Sequence, residues 1–108
     1  MKIFILFAFC LSILTATGCF RSDRRTVEFN VPQLKSQECL TYLSGKLRSA
    51  DGVEAVEADL ERGAVTVTFN GLKLALMNIE IIIAEAGFDV NDRPADEKGK
   101  ASMPIPCR

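Results

Sequence analysis

The chain of 108 residues contains no histidine and no tryptophan, and it has almost no charge excess, with 13 basic against 14 acidic side chains. Without histidine there is no imidazole to act as a base near neutral pH, to activate a serine or cysteine, or to bind a metal ion. Most hydrolase and zinc-enzyme mechanisms are therefore excluded, and we expect a protein that is not an enzyme. Nucleic-acid binders carry a basic surplus to replace phosphate counterions. The balanced charge therefore predicts no nucleic-acid partner.

Long apolar runs are also scarce, and the clearest one lies at the N-terminus. Residues 3–14 are apolar except for Ser12, and Lys2 precedes them. As a helix this run would cover about 18 Å, which is too short for a hydrocarbon core of about 30 Å. Its length and the small residues after it are typical of a secretory signal peptide. We therefore expect an exported protein.

Small residues lead from the apolar run into Gly18-Cys19. This sequence resembles the cleavage box of bacterial lipoproteins. The resemblance implies that residues 1–18 are removed and that the sulfur of Cys19 carries a lipid, so that the membrane is a partner. Phe20 stands where inner-membrane retention favours aspartate, which implies the outer membrane, facing the periplasm, in a double-membraned cell. Ordinary secretion is the alternative.

The remaining chain divides into three segments. Residues 19–25 are a short charged tether, and residues 26–91 contain all the periodic patterning. Residues 92–108 contain three of the four prolines and no apolar period. This composition predicts a flexible tail.

The apolar periods within 26–91 switch repeatedly between two and about 3.6 residues. They predict, in order, strand 26–31, helix 36–49, strands 53–60 and 64–70, helix 74–86 and strand 88–90. Ser36 is a natural N-cap, and Gly87 is the expected C-terminal cap. The order βαββαβ predicts an α+β, ferredoxin-like fold, a four-stranded antiparallel sheet with two helices on one face.

Three stretches of this segment carry a family resemblance. They are Leu47–Val56, with its Asp-Gly-Val turn, the alternating strand 64–69, and the Gly-Phe-Asp-Val sequence at 87–90. Together they resemble the heavy-metal-associated domain of copper chaperones, mercury-binding periplasmic proteins and metal-pumping ATPases. The resemblance covers residues 26–91. It implies the ferredoxin-like fold and a soft metal ion, such as Cu(I), as the ligand.

The metal loop of that family, Gly-Met-Thr-Cys-x-x-Cys, aligns with residues 33–39. Cys39 keeps the second cysteine, but Ser36 replaces the first, Leu34 replaces the methionine and Gln33 replaces the glycine. Soft ions prefer two thiolates, and a serine hydroxyl stays protonated and hard. The resemblance therefore implies a degenerate loop with weak or shared metal binding through Cys39.

A second sulfur has three candidate sources. Cys107 in the tail is one, and Met103 would add a thioether beside it; Cys39 of a second copy and a cysteine of a partner protein are the others. Two alternatives involve no metal. In an oxidising compartment Cys39 and Cys107 would form a disulfide that pins the tail, or Cys39 would remain an inert free thiol.

The second predicted helix has apolar residues on two faces. The core face is predicted to consist of Leu76, Ile79, Ile82, Ile83 and Ala86. Leu74, Met77 and Ile81 fall nearly opposite, which indicates an interface for a homodimer or a protein partner. This surface supports the alternative function, a metal-free adaptor. The competing explanations are a helix that starts later than residue 74, and ordinary scattered exposure of apolar residues.

Overall fold

The computed structural model describes residues 23–108, so the predicted signal peptide and the predicted lipidation residue Cys19 lie outside the described residues. The first five elements come in the predicted order, and two short helices follow them. The elements are β1 Arg24–Asn30, α1 Gln37–Arg48, β2 Val53–Asp59, β3 Ala64–Asn70, α2 Leu76–Ala86, α3 Glu97–Ser102 and a 3₁₀ helix Ile105–Cys107. No helix in this part of the chain is both long enough and apolar enough to cross a membrane.

The sheet is antiparallel, with strand order β1-β3-β2. Alternate side chains of the central strand β3, those of Val65, Val67 and Phe69, are buried, because successive residues of a strand point to opposite faces. Leucines of α1 and isoleucines of α2 join them in one apolar core. On the other face the hydroxyls of Thr26 and Thr68 lie 3.2 Å apart and remain exposed. One face is therefore apolar and the other polar, as the alternation predicts.

The predicted fourth strand at residues 88–90 is not formed. Within residues 23–108, Val90 pairs only with Arg93, in an isolated antiparallel bridge. Asn91 has φ 52°, which turns the chain before it can follow β1. Two hydrogen bonds join this segment to the end of β1: Asn91 N–H donates to Asn30 C=O (2.8 Å), and the Asn91 side chain accepts from Asn30 N–H (2.9 Å). The ferredoxin-like prediction therefore holds for three strands and two helices.

Helix α2 starts two residues later than predicted. The Asn78 side chain accepts a hydrogen bond from Ala75 N–H (2.9 Å), which closes the start of the helix at Leu76. Leu74 therefore precedes the helix and packs, half-buried, against the core. Leu76 was predicted to be buried, and it is 43% exposed. The helix ends at Gly87 (φ 109°), as predicted.

The C-terminal segment is not the flexible tail that its composition suggests. Helix α3 packs on α2, and Gly99 approaches the backbone of Glu85 and Gly87 so closely that any side chain at position 99 would clash. Asp96 N–H donates to Ala84 C=O (2.9 Å). The guanidinium of Arg108 donates to the carbonyls of Met103 (3.0 Å) and Ala101 (2.9 Å). The prediction failed because polar contacts and close backbone packing hold this segment, and neither produces an apolar period.

Candidate metal-binding site

Cys39 lies in the first turn of α1. Ser36 is extended (φ −131°) and caps the helix, because its Oγ accepts a hydrogen bond from Cys39 N–H (3.3 Å). The Cys39 side chain therefore lies at the positive end of the helix, where a thiolate is favoured. It is also buried, with 2% of its surface exposed.

Cys107 meets Cys39 from the other end of the chain. The two sulfurs are joined in a disulfide with a Cα–Cα distance of 5.6 Å. Cys107 belongs to the 3₁₀ helix that packs against α1, and it is 6% exposed. The structure therefore brings together the two cysteines that the sequence offered as candidates, in the oxidised form.

Ser36 contacts the Cys39 sulfur as well as the Cys39 backbone. Its Oγ lies 3.0 Å from Cys39 Sγ with the hydroxyl placed to donate. A hydroxyl donor beside a sulfur favours its anionic form. In the reduced protein the serine would therefore support a thiolate at Cys39, although it cannot itself bind a soft ion.

Gln33, in the loop before α1, connects that loop to the segment that follows α2. Its Nε2 donates to the carboxylate of Asp89 (2.6 Å), and its Oε1 accepts from Asp89 N–H (2.9 Å). Asp89 also accepts from Ala95 N–H (2.7 Å). These bonds, first from Ala95 and then from Gln33, with the charge of Lys100, hold the pKa of Asp89 below its usual value. We call this arrangement the Gln33–Asp89 clamp.

The clamp could not be predicted from the apolar periods of the sequence. Gln33 stands out there only as a departure from the glycine of the family it resembles, and Asp89 only as part of the predicted closing strand. A long amide where a family has glycine was the available signal, because such a side chain must find partners when its loop is packed.

Met103 is the third sulfur near this end of the domain. It is 2% exposed, and its thioether packs against Gly87. Met103 and Cys107 also line one cavity of about 450 Å³, together with Gln33 and Arg108. Within residues 23–108, no three cysteine, aspartate or glutamate side chains gather as a metal cluster. A soft ion at this end would therefore depend on the sulfurs.

The predicted interface residues lie apart from the sulfurs and do not form one exposed surface. Met77 is 60% exposed, whereas Leu74 and Ile81 are both half-buried. The exposed apolar residues near Met77 are Leu72 and Leu76 instead. The late start of α2 explains the difference, because Leu74 is not part of the helix.

Comparison with known proteins gives the same fold. The copper chaperone CopZ of Bacillus subtilis is 33% identical over 68 residues, which span 63% of this chain and 96% of that protein. A solved CopZ metallochaperone is 27% identical, with a TM-score of 0.59, and the match covers 62% of this chain and 100% of that one. The mercury-bound form of MerP, the periplasmic protein of the bacterial mercury detoxification system, is 25% identical, with a TM-score of 0.53 over 63% of this chain and 94% of that one. No family model matches the sequence.

The fold and the position of Cys39 define a heavy-metal-associated domain. The chain belongs to the family that contains the copper chaperone CopZ. The relatives are metallochaperones rather than enzymes. The expectation of a soft metal ion such as Cu(I) therefore fits this family.

Proposed function

We propose that this protein is an exported, lipid-anchored metal-binding domain that holds a soft ion such as Cu(I) between the thiolates of Cys39 and Cys107. One observation carries the proposal. The Cys107 sulfur is bonded to Cys39 at the N-terminus of α1. It therefore supplies the second soft donor that the loop lost when serine came to occupy position 36. Of the three candidate sources of a second sulfur, only Cys107 belongs to the same molecule as Cys39.

Metal binding requires the reduced pair. A dithiol reductant would transfer two electrons and two protons to the disulfide, leaving two thiols and an oxidised reductant. Cu(I) would then displace the two thiol protons as the sulfurs bind it. The oxidised protein has no thiolate at this site and is expected not to bind.

The burial of the two sulfurs limits how a reductant or a metal donor reaches them. Cys39 and Cys107 are 2% and 6% exposed, so the 3₁₀ helix restricts the approach of a reductant or a metal donor from solvent. Movement of residues 105–108 would open the site without disturbing α1. Met103, held by its packing against Gly87, would be the adjacent thioether.

The anchored location is proposed on the sequence of residues 1–25. An apolar signal segment, the Gly18-Cys19 pair and a short charged tether precede the domain. Incorporation of labelled palmitate that disappears in Cys19→Ala tests it. Label that persists in this variant would contradict the anchor.

The test of metal binding is a competition titration of the reduced, mature protein with Cu(I) against a chromophoric chelator. We expect one ion per protein, and at least a tenfold loss of affinity in Cys39→Ser and in Cys107→Ser. Ser36→Cys combined with Cys107→Ser is the matched control, because it restores the two-cysteine loop of the relatives without the tail sulfur. Recovery of affinity there shows that the thiolate count decides binding.

The alternative is a metal-free adaptor in which the disulfide only closes the fold. The observation that favours it is the deep burial of the sulfur pair, together with exposed Met77 at a distance from it. Equal Cu(I) affinities for the reduced wild type and Cys39→Ser would leave only this function. A change in solution mass or partner capture on Met77→Lys would then support it.

A further inference from the structure

We propose that an exposed apolar patch, formed by Leu72, Leu76 and Met77, lies against the bilayer that holds the Cys19 lipid. The sulfur pair then points away from the membrane. This inference rests on the anchor in the proposed function, but it does not depend on metal binding. We call these three residues the Leu72 patch.

The Leu72 patch lies at the end of the domain where β3 ends and α2 begins. Its members are 68%, 43% and 60% exposed, in chain order. Three large apolar side chains close together on the surface of a small domain indicate a contact surface. Lys73 lies between two of them, and its amine pairs with Asp51 (3.2 Å) while its stem lies on the surface beside the patch.

The chain enters the domain beside this patch. Gly71 N–H donates to Asp23 C=O (2.6 Å), and Arg24 pairs with Asn70 at the start of β1. Leu72 therefore follows directly after Gly71, the residue that contacts Asp23.

The distance to the anchor is set by the chain length. Asp23 comes four residues after Cys19. Four residues span at most about 14 Å when fully extended. The end of the domain that carries the Leu72 patch must therefore stay within about that distance of the lipid-bearing residue.

The entry segment also has the charge that suits a bacterial membrane surface. Residues 20–25 contain three arginines and one aspartate. The side chains of Arg24 and Arg25 are 68% and 62% exposed, and they pair with the carboxylates of Glu54 and Asp23. The remaining basic excess of this segment is attracted to anionic headgroups when it lies this close to a bilayer. A lipid surface therefore fits this end of the domain mainly in apolar area, with a smaller contribution from charge.

The sulfur pair lies at the other end. β1 runs for seven residues, about 23 Å, from Arg24 beside the patch to Asn30, after which the loop leads to Cys39. Helix α2 also starts at the patch and ends at Gly87, against Met103. With the patch on the bilayer, Cys39 and Cys107 face the aqueous compartment, where a reductant or a metal donor would approach.

The absence of tryptophan makes a direct test available. The lipidated protein carrying Met77→Trp is reconstituted in vesicles with anionic lipid, with and without bromine on the acyl chains near the headgroups. Ile105→Trp is the matched control, because Ile105 is 81% exposed and lies two residues from Cys107. We expect bromine to quench emission severalfold more at position 77 than at 105. Leu72→Trp provides a second probe of the patch.

Equal quenching at 77 and 105, or none at 77, would overturn the orientation. Blue-shifted emission at 77 that bromine does not quench would show a second copy or another protein on the patch, which also overturns it. Mass spectrometry of each sample confirms the acyl groups on Cys19, and protein without them refutes the anchor beneath the proposal. Cu(I) titration of the same samples reports on metal binding separately.

Discussion

Cys107 is bonded to Cys39 although 68 positions separate them along the chain. Ser36, three residues before Cys39, offers the sulfur a hydroxyl at 3.0 Å rather than a second sulfur. The second sulfur thus comes from a C-terminal segment that packs on the domain, rather than from the loop itself. Any reaction of the Cys39 sulfur therefore also involves Cys107 and the C-terminal segment that holds it.

Loss of the disulfide should destabilise the fold. Removing a link that closes a loop of 68 residues restores the entropy of the unfolded chain, and we expect Cys107→Ser to lower the free energy of unfolding by about 4 kcal/mol. Urea denaturation of oxidised protein measures it. Cys39→Ser should lower the free energy of unfolding by a similar amount. The reduced wild type should have a free energy of unfolding close to that of the two variants. An unchanged midpoint would mean that the disulfide does not form in solution.

Ser36 should control the reactivity of Cys39 in the reduced protein. Ser36→Ala removes both the hydroxyl beside the sulfur and the cap on α1. We expect the rate of Cys39 alkylation at neutral pH to fall severalfold, because less thiolate is present. Ser36→Thr keeps a hydroxyl and serves as the control. Identical rates for the alanine and threonine variants would contradict a role for the hydroxyl.

Gly99, the glycine of the C-terminal segment, should tolerate no side chain without a loss of stability. A Cβ at position 99 would collide with Glu85 C=O and approach Gly87 N to 2.8 Å. We expect Gly99→Ala to lower the free energy of unfolding by about 1–3 kcal/mol, measured in urea.

Gly45→Ala is the matched control for that substitution. Gly45 is a helical residue with nothing within 4 Å of an added Cβ. Alanine there should raise the free energy of unfolding by about 0.5–1 kcal/mol. A Gly99→Ala protein as stable as wild type would show that α3 does not pack on α2 as described.

The Gln33–Asp89 clamp should make stability depend on acid pH. Folding holds the pKa of Asp89 below its ordinary value of 3.8. Its contribution is therefore complete above 3.8 and is lost as the pH falls through the lower, folded-state pKa. We expect Asp89→Asn to reduce Tm at neutral pH and to make Tm less sensitive to acid. Asp92→Asn, at an exposed position, should leave the profile as in wild type, and parallel profiles for all three proteins would exclude the clamp.

The sequence predicted most of the fold because its strands and helices follow their apolar periods. Ile79, Ile83 and Ala86 of the predicted core face are buried as expected. The start of α2 was misplaced because Leu74 matches the helical period but precedes the Asn78–Ala75 bond that begins the helix.

The C-terminal segment was the least predictable part. A bond between Cys39 and Cys107, a clamp through Gln33, and the fit of Gly99 on α2 are tertiary contacts between single residues. None of them has a local pattern that a sequence reading detects. Pairing the two cysteines was one of several alternatives, and only the folded chain brings their sulfurs together.

The most direct test of the central claim counts the sulfur neighbours of bound copper by X-ray absorption. In the reduced, Cu(I)-loaded protein we expect two cysteine sulfurs around the metal, and one protein sulfur fewer in Cys107→Ser. A sulfur shell that is the same in both proteins, or a wild type that binds no copper when fully reduced, would contradict the shared Cys39–Cys107 site.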